Sequence, residues 1–215
     1  RYMKKIAIVS SDMTAVGGAE TVTAAMANEL SRIYECHLIS ICNKYEKTPF
    51  SLAPEIRYFP VLNTAGEQTR VRDFVLKSRK PIRDYLKKNQ IDVVLIIDVF
   101  AAATIVNYLF SGKKTVFCDH GALMTNLSVK TDTMIRRINS SLAKKVIVLT
   151  EKNKEAYQQQ FRIPEKKIDF IYNWVDDKLL RSETTYNENS NRILSMGRVA
   201  KIKGPDLLIK TAKKL

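Results

Sequence analysis

Short apolar runs rich in β-branched residues recur along the chain, and segments of helical periodicity separate them. The first run, Lys-Lys-Ile-Ala-Ile-Val-Ser at 4–10, is too short for a helix and apolar on both faces. It reads as a strand covered on both sides, the signature of a parallel sheet. Similar runs predict strands at about 5–10, 35–41, 56–61, 93–97, 114–118, 145–149 and 167–171. Helical spacing predicts helices near 20–33, 68–89, 100–109, 132–143 and 151–159. In the first of these, Val22, Ala25, Met26, Leu30 and Ile33 form the apolar stripe. A pattern that alternates strand and helix leaves few architectures open. The expected class is α/β: a Rossmann-like three-layer domain with a mostly parallel sheet and helices on both faces.

The end of the chain opens a second unit. Residues 192–215 contain an apolar run (Ile193 to Met196), Gly197-Arg198, Lys203-Gly204 and an amphipathic helix pattern. That is one strand, a basic loop and one helix, too little to bury a core of its own. The expected organisation is a domain over 1–177, a polar linker over 178–191, and the beginning of another domain over 192–215. Its strand, without a parent sheet, would leave backbone groups unpaired.

Open α/β sheets bind ligands beyond the carboxyl ends of their strands. The loops expected there are 11–18, 98–99, 119–126, 150 and 173–176. The first carries Gly17-Gly18 just before a helix start, where bare backbone N–H groups accept close approach by an anion. This is not the Gly-x-Gly-x-x-Gly fingerprint, and Ser40-Ile41-Cys42 offers no acidic residue for a ribose, which counts against a nicotinamide dehydrogenase. Arg198 and Lys203 stand before a helix N-terminus, a place that favours anions.

Taken in order, Gly17-Gly18-Ala19-Glu20, Cys118-Asp119-His120-Gly121, Ile171-Tyr172-Asn173-Trp174-Val175-Asp176, Gly197-Arg198 and Lys203-Gly204 resemble the retaining glycosyltransferases of family 4, which have the two-domain GT-B architecture. The resemblance covers nearly the whole chain. It implies that the chain is the N-terminal, acceptor-side half of such a fold, with the first strand, loop and helix of the nucleotide-sugar-binding domain. The family's Glu-x7-Glu segment, which binds donor sugar and nucleotide, is absent from the sequence. The resemblance implies transfer of a hexose or N-acetylhexosamine from a nucleotide sugar, UDP-linked by expectation, to a glycan or lipid-linked acceptor. The setting would be polysaccharide, cell-envelope or glycolipid synthesis, and the segment 1–215 alone is expected to be inactive.

The site residues follow from that resemblance. His120 is implied to contact the transferred sugar at the reacting centre; the plainer alternative is a loop histidine that packs its turn. Gly17, Gly18, Arg198 and Lys203 are implied to meet the donor phosphates, the two cations neutralising charge on the leaving group. Their plainer alternative is a pair of solvated charges in a lysine-rich segment. Asp12, Asn126, Thr150 and Asn173 are candidate acceptor or sugar contacts, with a turn or cap role equally open for Asp12. Asp119 is read as orienting the turn around His120, and His37 as structural. No metal and no cofactor beyond the sugar nucleotide is expected.

Charge narrows the partners. A formal charge of +14 suits nucleic acid, anionic lipid or an anionic substrate. The strongest basic run, 70–88, carries Val71, Phe74, Val75, Ile82, Tyr85 and Leu86 along one face, and Pro81 is expected to kink it or start a second helix. It reads either as an ordinary amphipathic helix with a solvated face or as a contact to an anionic membrane surface. Nucleic acid is not expected, because Phe74 and Tyr85 fall on the apolar stripe instead of among the exposed cations. Cys36, Cys42 and Cys118 lie far apart, without zinc or disulfide spacing, and suit a reducing cytoplasm. The N-terminus runs straight into a strand, with no signal peptide read there, and no stretch approaches the length of a membrane span. Two rivals stay open: a GT-B nucleotide-sugar epimerase, and a non-enzymatic basic module for membrane or nucleic acid.

Overall fold

The computed structural model describes residues 3–64, 71–102, 114–124, 130–174, 189–190, 192–197, 199 and 203–213. The chain divides into two units, Arg1–Trp174 and Val175–Leu215.

The first unit alternates strands β1 (Lys5–Ser10), β2 (Glu35–Cys42), β3 (Arg57–Leu62), β4 (Val93–Ile97), β5 (Lys114–Asp119), β6 (Lys145–Val148) and β7 (Ile168–Phe170) with helices. These are α1 (Gly18–Ser31), α2 (Val71–Lys88), α3 (Asp98–Ala102), α4 (Lys130–Leu142) and α5 (Glu151–Phe161). The seven strands form one sheet in the order β3-β2-β1-β4-β5-β6-β7. Every pairing in it is parallel. The expected α/β, Rossmann-like class is therefore what the chain adopts, and its sheet is wholly parallel.

Alternation along each strand builds two cores. Ala7, Val9, Ile39, Ile41, Val94, Ile96, Phe117, Val146 and Val148 point to one face, where Phe74, Ile82 and Leu86 of α2 and Tyr157 of α5 cover them. Ile6, Ile8, Cys36, Leu38, Ile97 and Cys118 point to the other, under Ala24 and Ala27 of α1. A period of two along strands and a sheet buried on both faces account for the unbroken apolar runs. All three cysteines are buried free thiols.

Several boundaries differ from expectation for local reasons. Helix α1 starts at Gly18 because the extended backbone of Gly17 caps it, and the amide of Thr21 donates to the Gly17 carbonyl at 3.0 Å. It ends before Ile33, which lies outside the helix and 64% exposed, not on its buried stripe. Helix α2 continues through Pro81, so no second helix starts there. Three buried anchors, Phe74, Ile82 and Leu86, seat it on the sheet on both sides of the proline, so tertiary packing outweighs one lost backbone bond. Helix α3 begins at Asp98 rather than 100; the expected continuation over 103–109 lies outside the described residues, as do 68–70.

In the second unit, Ile193 to Met196 form no strand: the segment is irregular, with Ile193 73%, Leu194 88% and Met196 93% exposed. A strand exists only through its pairing partners, and among the described residues it has none. Helix α6 (Pro205–Ala212) does form. Gly204 caps it at φ 68, a conformation that favours glycine, and Pro205 occupies the first turn, where its missing N–H costs nothing.

Candidate functional site

Parallel pairing brings the loops after β1, β4, β5, β6 and β7 to one edge, at a pitch of roughly 4.8 Å per strand. Strand order reverses direction between β1 and β4, the place where doubly wound sheets open a crevice. There the Ser11 hydroxyl lies 2.8 Å from both carboxylate oxygens of Asp98. Asp98 itself sits at φ 67 and accepts from the Ala101 amide at 2.8 Å, so it caps α3 while tying β1 to β4.

Next along the edge stands His120, half-buried on the loop after β5. Its neighbour Asp119 is fully buried and supports that loop from below. One carboxylate oxygen of Asp119 accepts from Nε of Arg136 on α4 at 2.7 Å and from the hydroxyl of Tyr157 on α5. The other accepts from the Gly121 amide at 2.8 Å. Asn153 of α5 closes the loop, accepting from the Leu123 amide at 3.0 Å and donating to the Gly121 carbonyl at 3.0 Å. Thr150 caps α5 through the Asn153 amide at 3.2 Å.

Burial sets the electrostatics. It pulls the His120 imidazole below its usual range, only partly opposed by the Asp119 charge. His120 is therefore a neutral hydrogen-bonding group at neutral pH. Burial alone would also pull the Arg136 guanidinium down, but the bonds to Asp119 and Tyr157 hold it above its ordinary value. The Tyr157 phenol is pushed far up by burial and then by the Asp119 charge.

The remaining expected site residues divide clearly. Gly18 is exposed, and a Cβ there would meet nothing within 4 Å, so the backbone at the start of α1 is open to approach. A Cβ on Gly17 would collide with the Glu20 carboxylate, which folds back over the helix start. An anion reaching Gly17 must displace that side chain. Asp12 is committed to a turn: one carboxylate oxygen accepts from the Thr14 amide at 2.9 Å and from its hydroxyl at 2.6 Å. Thr150 is a helix cap, and Asn173 is exposed beyond β7. Lys203 is exposed in the second unit, just before α6. Asn126 and Arg198 lie outside the described residues.

Elsewhere, His37 is buried near the amino end of β2, 2.9 Å from the Tyr85 hydroxyl and 3.3 Å from Glu35, in a structural setting. Sequence reading did not find Arg136, Tyr157 or Asn153. Arg136, with Asn139 and Ser140 on the same turn, forms a buried polar strip on a helix otherwise read as ordinary packing. A charged residue at an inward position was the available signal. Among the described residues no group of three His, Cys, Asp or Glu is arranged to hold a metal.

The comparisons with known proteins enter at this point. The model of a family described as Glycosyltransferase Family 4 matches residues 16–179. A search of curated protein sequences finds no match. Among solved structures, sucrose-phosphate synthase from Thermosynechococcus elongatus superposes with a TM-score of 0.66 at 14% identity, over 79% of this chain and 48% of that one. A putative UDP-N-acetylglucosamine 2-epimerase from Listeria monocytogenes gives 0.61 at 14% identity, over 78% and 45%. A lipopolysaccharide outer core galactosyltransferase, WaaB, gives 0.56 at 21% identity, over 80% and 46%. At these identities the likeness concerns the fold. The chain spans about half the length of each of these proteins.

Two outcomes are expected from this geometry. Arg136→Met strands a buried carboxylate and should cost about 3–5 kcal/mol of stability, whereas Tyr157→Phe removes one hydrogen bond and should cost about 1–3 kcal/mol. Equal, small losses in denaturant unfolding would show that Asp119 is not held as described. Separately, NMR titration of His120 should give a midpoint below the ordinary 6.5. The unfolded chain then takes up its proton first, so stability falls as pH drops through 6.5 and levels off below the folded midpoint. A midpoint at or above 6.5 would contradict the burial argument.

Proposed function

The chain belongs to glycosyltransferase family 4, and from that premise we propose that it supplies the acceptor-side half of a retaining hexosyltransferase. The donor in this reading is a nucleotide sugar, UDP-linked, and the acceptor is a glycan or lipid-linked sugar in polysaccharide, cell-envelope or glycolipid synthesis. The family match over 16–179 carries the reading. The approachable backbone at Gly18 and the neutral His120 on the same edge support it. His120 would hydrogen-bond the transferred sugar. Gly17 and Gly18 would pass close to the donor phosphates from this half, with Glu20 swinging aside. Arg198 and Lys203 would offset the charge growing on the leaving diphosphate, so that no metal is required. Asp12, Asn126, Thr150 and Asn173 would border the acceptor; for Asp12 and Thr150 the turn and cap bonds leave their remaining lone pairs for that task. The domain division would fall at 1–177, a linker at 178–191, and a nucleotide-sugar-binding domain from 192 onward.

The epimerase superposition keeps one rival alive, since epimerases share the fold. Products separate the two: an epimerase converts its nucleotide sugar without acceptor. In an enzyme carrying both domains, His120→Ala should lower kcat much more than it raises KM. Arg198→Ala and Lys203→Ala should each slow transfer roughly tenfold or more, and chelator should leave the rate unchanged. Normal rates in these variants would remove the residues from the site. The 215-residue chain should bind nucleotide sugars weakly or not at all; a sub-micromolar Kd would overturn the division of labour between the halves.

No helix among the described residues is long and apolar enough to cross a membrane. We place the protein in the cytoplasm, in peripheral contact with anionic membrane through the basic face of α2. Lys80 on that face already pairs with Asp84 at 2.9 Å, but both are largely exposed and the pair is worth little. Changing Lys77, Arg79 and Lys80 to Glu should reduce sedimentation with anionic vesicles and leave the fold intact. Unchanged sedimentation would reduce the run to a solvated face.

A further inference from the structure

Opposite the candidate site lies the amino edge of the sheet, and its charge is unexplained by the proposed transfer. Each of the last three strands follows a Lys-Lys pair in the sequence, at 113–114, 144–145 and 166–167. Because β5, β6 and β7 are parallel neighbours, Lys114, Lys144, Lys145, Lys166 and Lys167 arrive at the same edge. The Lys144 amide donates to the Thr115 carbonyl at 2.8 Å, which extends the ladder by one step and sets Lys144 against the residue that follows Lys114. Lys114, Lys144, Lys166 and Lys167 line a cavity of about 620 Å³ with Thr115, Leu142 and Ala143. Among the described residues no carboxylate lines it.

Part of this charge has a structural use. Lys145 reaches Asp169 at 3.5 Å and the Lys166 carbonyl at 3.3 Å. Lys167 donates to the Ser141 carbonyl near the end of α4, where a helix favours cations. Burial, and then the charge of Lys144, pull the Lys167 ammonium below its ordinary value, so these like charges feel one another. The ammonium groups of Lys114, Lys144 and Lys166 have no partner among the described residues. Four lysines line one concavity, and among the described residues no carboxylate there offsets their charge. An anion in the cavity does.

We propose that this cavity is a binding site for a phosphate-bearing ligand carrying at least two negative charges, such as a diphosphate or a phosphomonoester headgroup. Compact, strongly hydrated ammonium groups on flexible stems suit phosphate as point charges. The cavity volume accommodates such a group together with what it is attached to. The site is separate from the carboxyl edge, so it stands whether or not the transferase reading holds.

The test uses the 215-residue chain, inorganic diphosphate, and vesicles of phosphatidylcholine with or without phosphatidic acid. Diphosphate should shift the amide resonances of Thr115, Lys144, Lys166 and Lys167 saturably, with a shift that weakens as salt rises. The variant K114Q/K144Q/K166Q should lose affinity by roughly tenfold or more, equivalent to about 1.4 kcal/mol. K114R/K144R/K166R should retain it, and K77Q/R79Q/K80Q on α2 should bind free diphosphate like the parent. Saturation by free diphosphate assigns a soluble source; binding only to phosphatidic acid vesicles, lost in the Gln variant, assigns a lipid headgroup. Both outcomes support the site. Absence of saturable binding to either probe overturns it. So does an equal loss of diphosphate binding in the α2 variant, which would reduce the effect to net charge.

Discussion

The first unit depends on one buried carboxylate. Asp119 and Arg136 are almost wholly removed from water, at 1% and 2% side-chain exposure. Such a pair stabilises little relative to an apolar one, and breaking it is costly. Its value lies in what it ties together. Asp119 ends β5, Arg136 belongs to α4, Tyr157 to α5, and the Gly121 amide to the loop that carries His120. Four pieces of chain must be in place at once for that charge to be tolerated. The loop after β5 is thus fixed by the same interaction that seats two helices on the sheet.

A similar economy governs the neighbouring strands. The hydroxyl of Ser11 and the carboxylate of Asp98 close the gap between β1 and β4, and the same carboxylate starts α3. Asp12 holds its own turn through Thr14, whose hydroxyl accepts from the amides of Lys44 and Tyr45 beyond β2. Asp12, Asp98 and Asp119 each hold a loop or turn, which argues against any of them acting as a free nucleophile or base. A mechanism with two facing carboxylates needs acids with open lone pairs across a shared gap. Here the three sit on separate loops, and Asp119 is fully buried.

The sheet was legible because buried parallel strands announce themselves: Ile6 to Val9, Leu38 to Ile41 and Val93 to Ile97 are apolar on both faces, and no helix of that length would be. The places of Gly17, His120 and Thr150 at strand ends were legible for the same reason, since topology alone brings those loops to one edge. What sits beneath them was not. Arg136 and Tyr157 occupy helices whose periodicity says only which face is inward, never that a cation and a phenol on that face share one acid from another strand. Pro81 misled because a local rule against proline in helices yields to three anchors on the sheet. The run at 193–196 misled for the opposite reason: β propensity without a partner makes no strand.

Charge placement carries the functional argument one step further. The chain has 36 Lys and Arg residues, yet the described edge loops at 11–17, 119–124 and 171–174 contain none. Cleavage of a sugar–diphosphate bond leaves charge that must be met by fixed cations or metal. His120, kept neutral by burial, cannot meet it, and the backbone N–H groups at the start of α1 share their field with the Glu20 carboxylate. In the proposed reading, Gly17 and Gly18 would approach the donor phosphates without neutralising them. Supplying the complementary cations is the role proposed for Arg198 and Lys203. In the first unit Lys114, Lys144, Lys166 and Lys167 gather instead at the opposite edge.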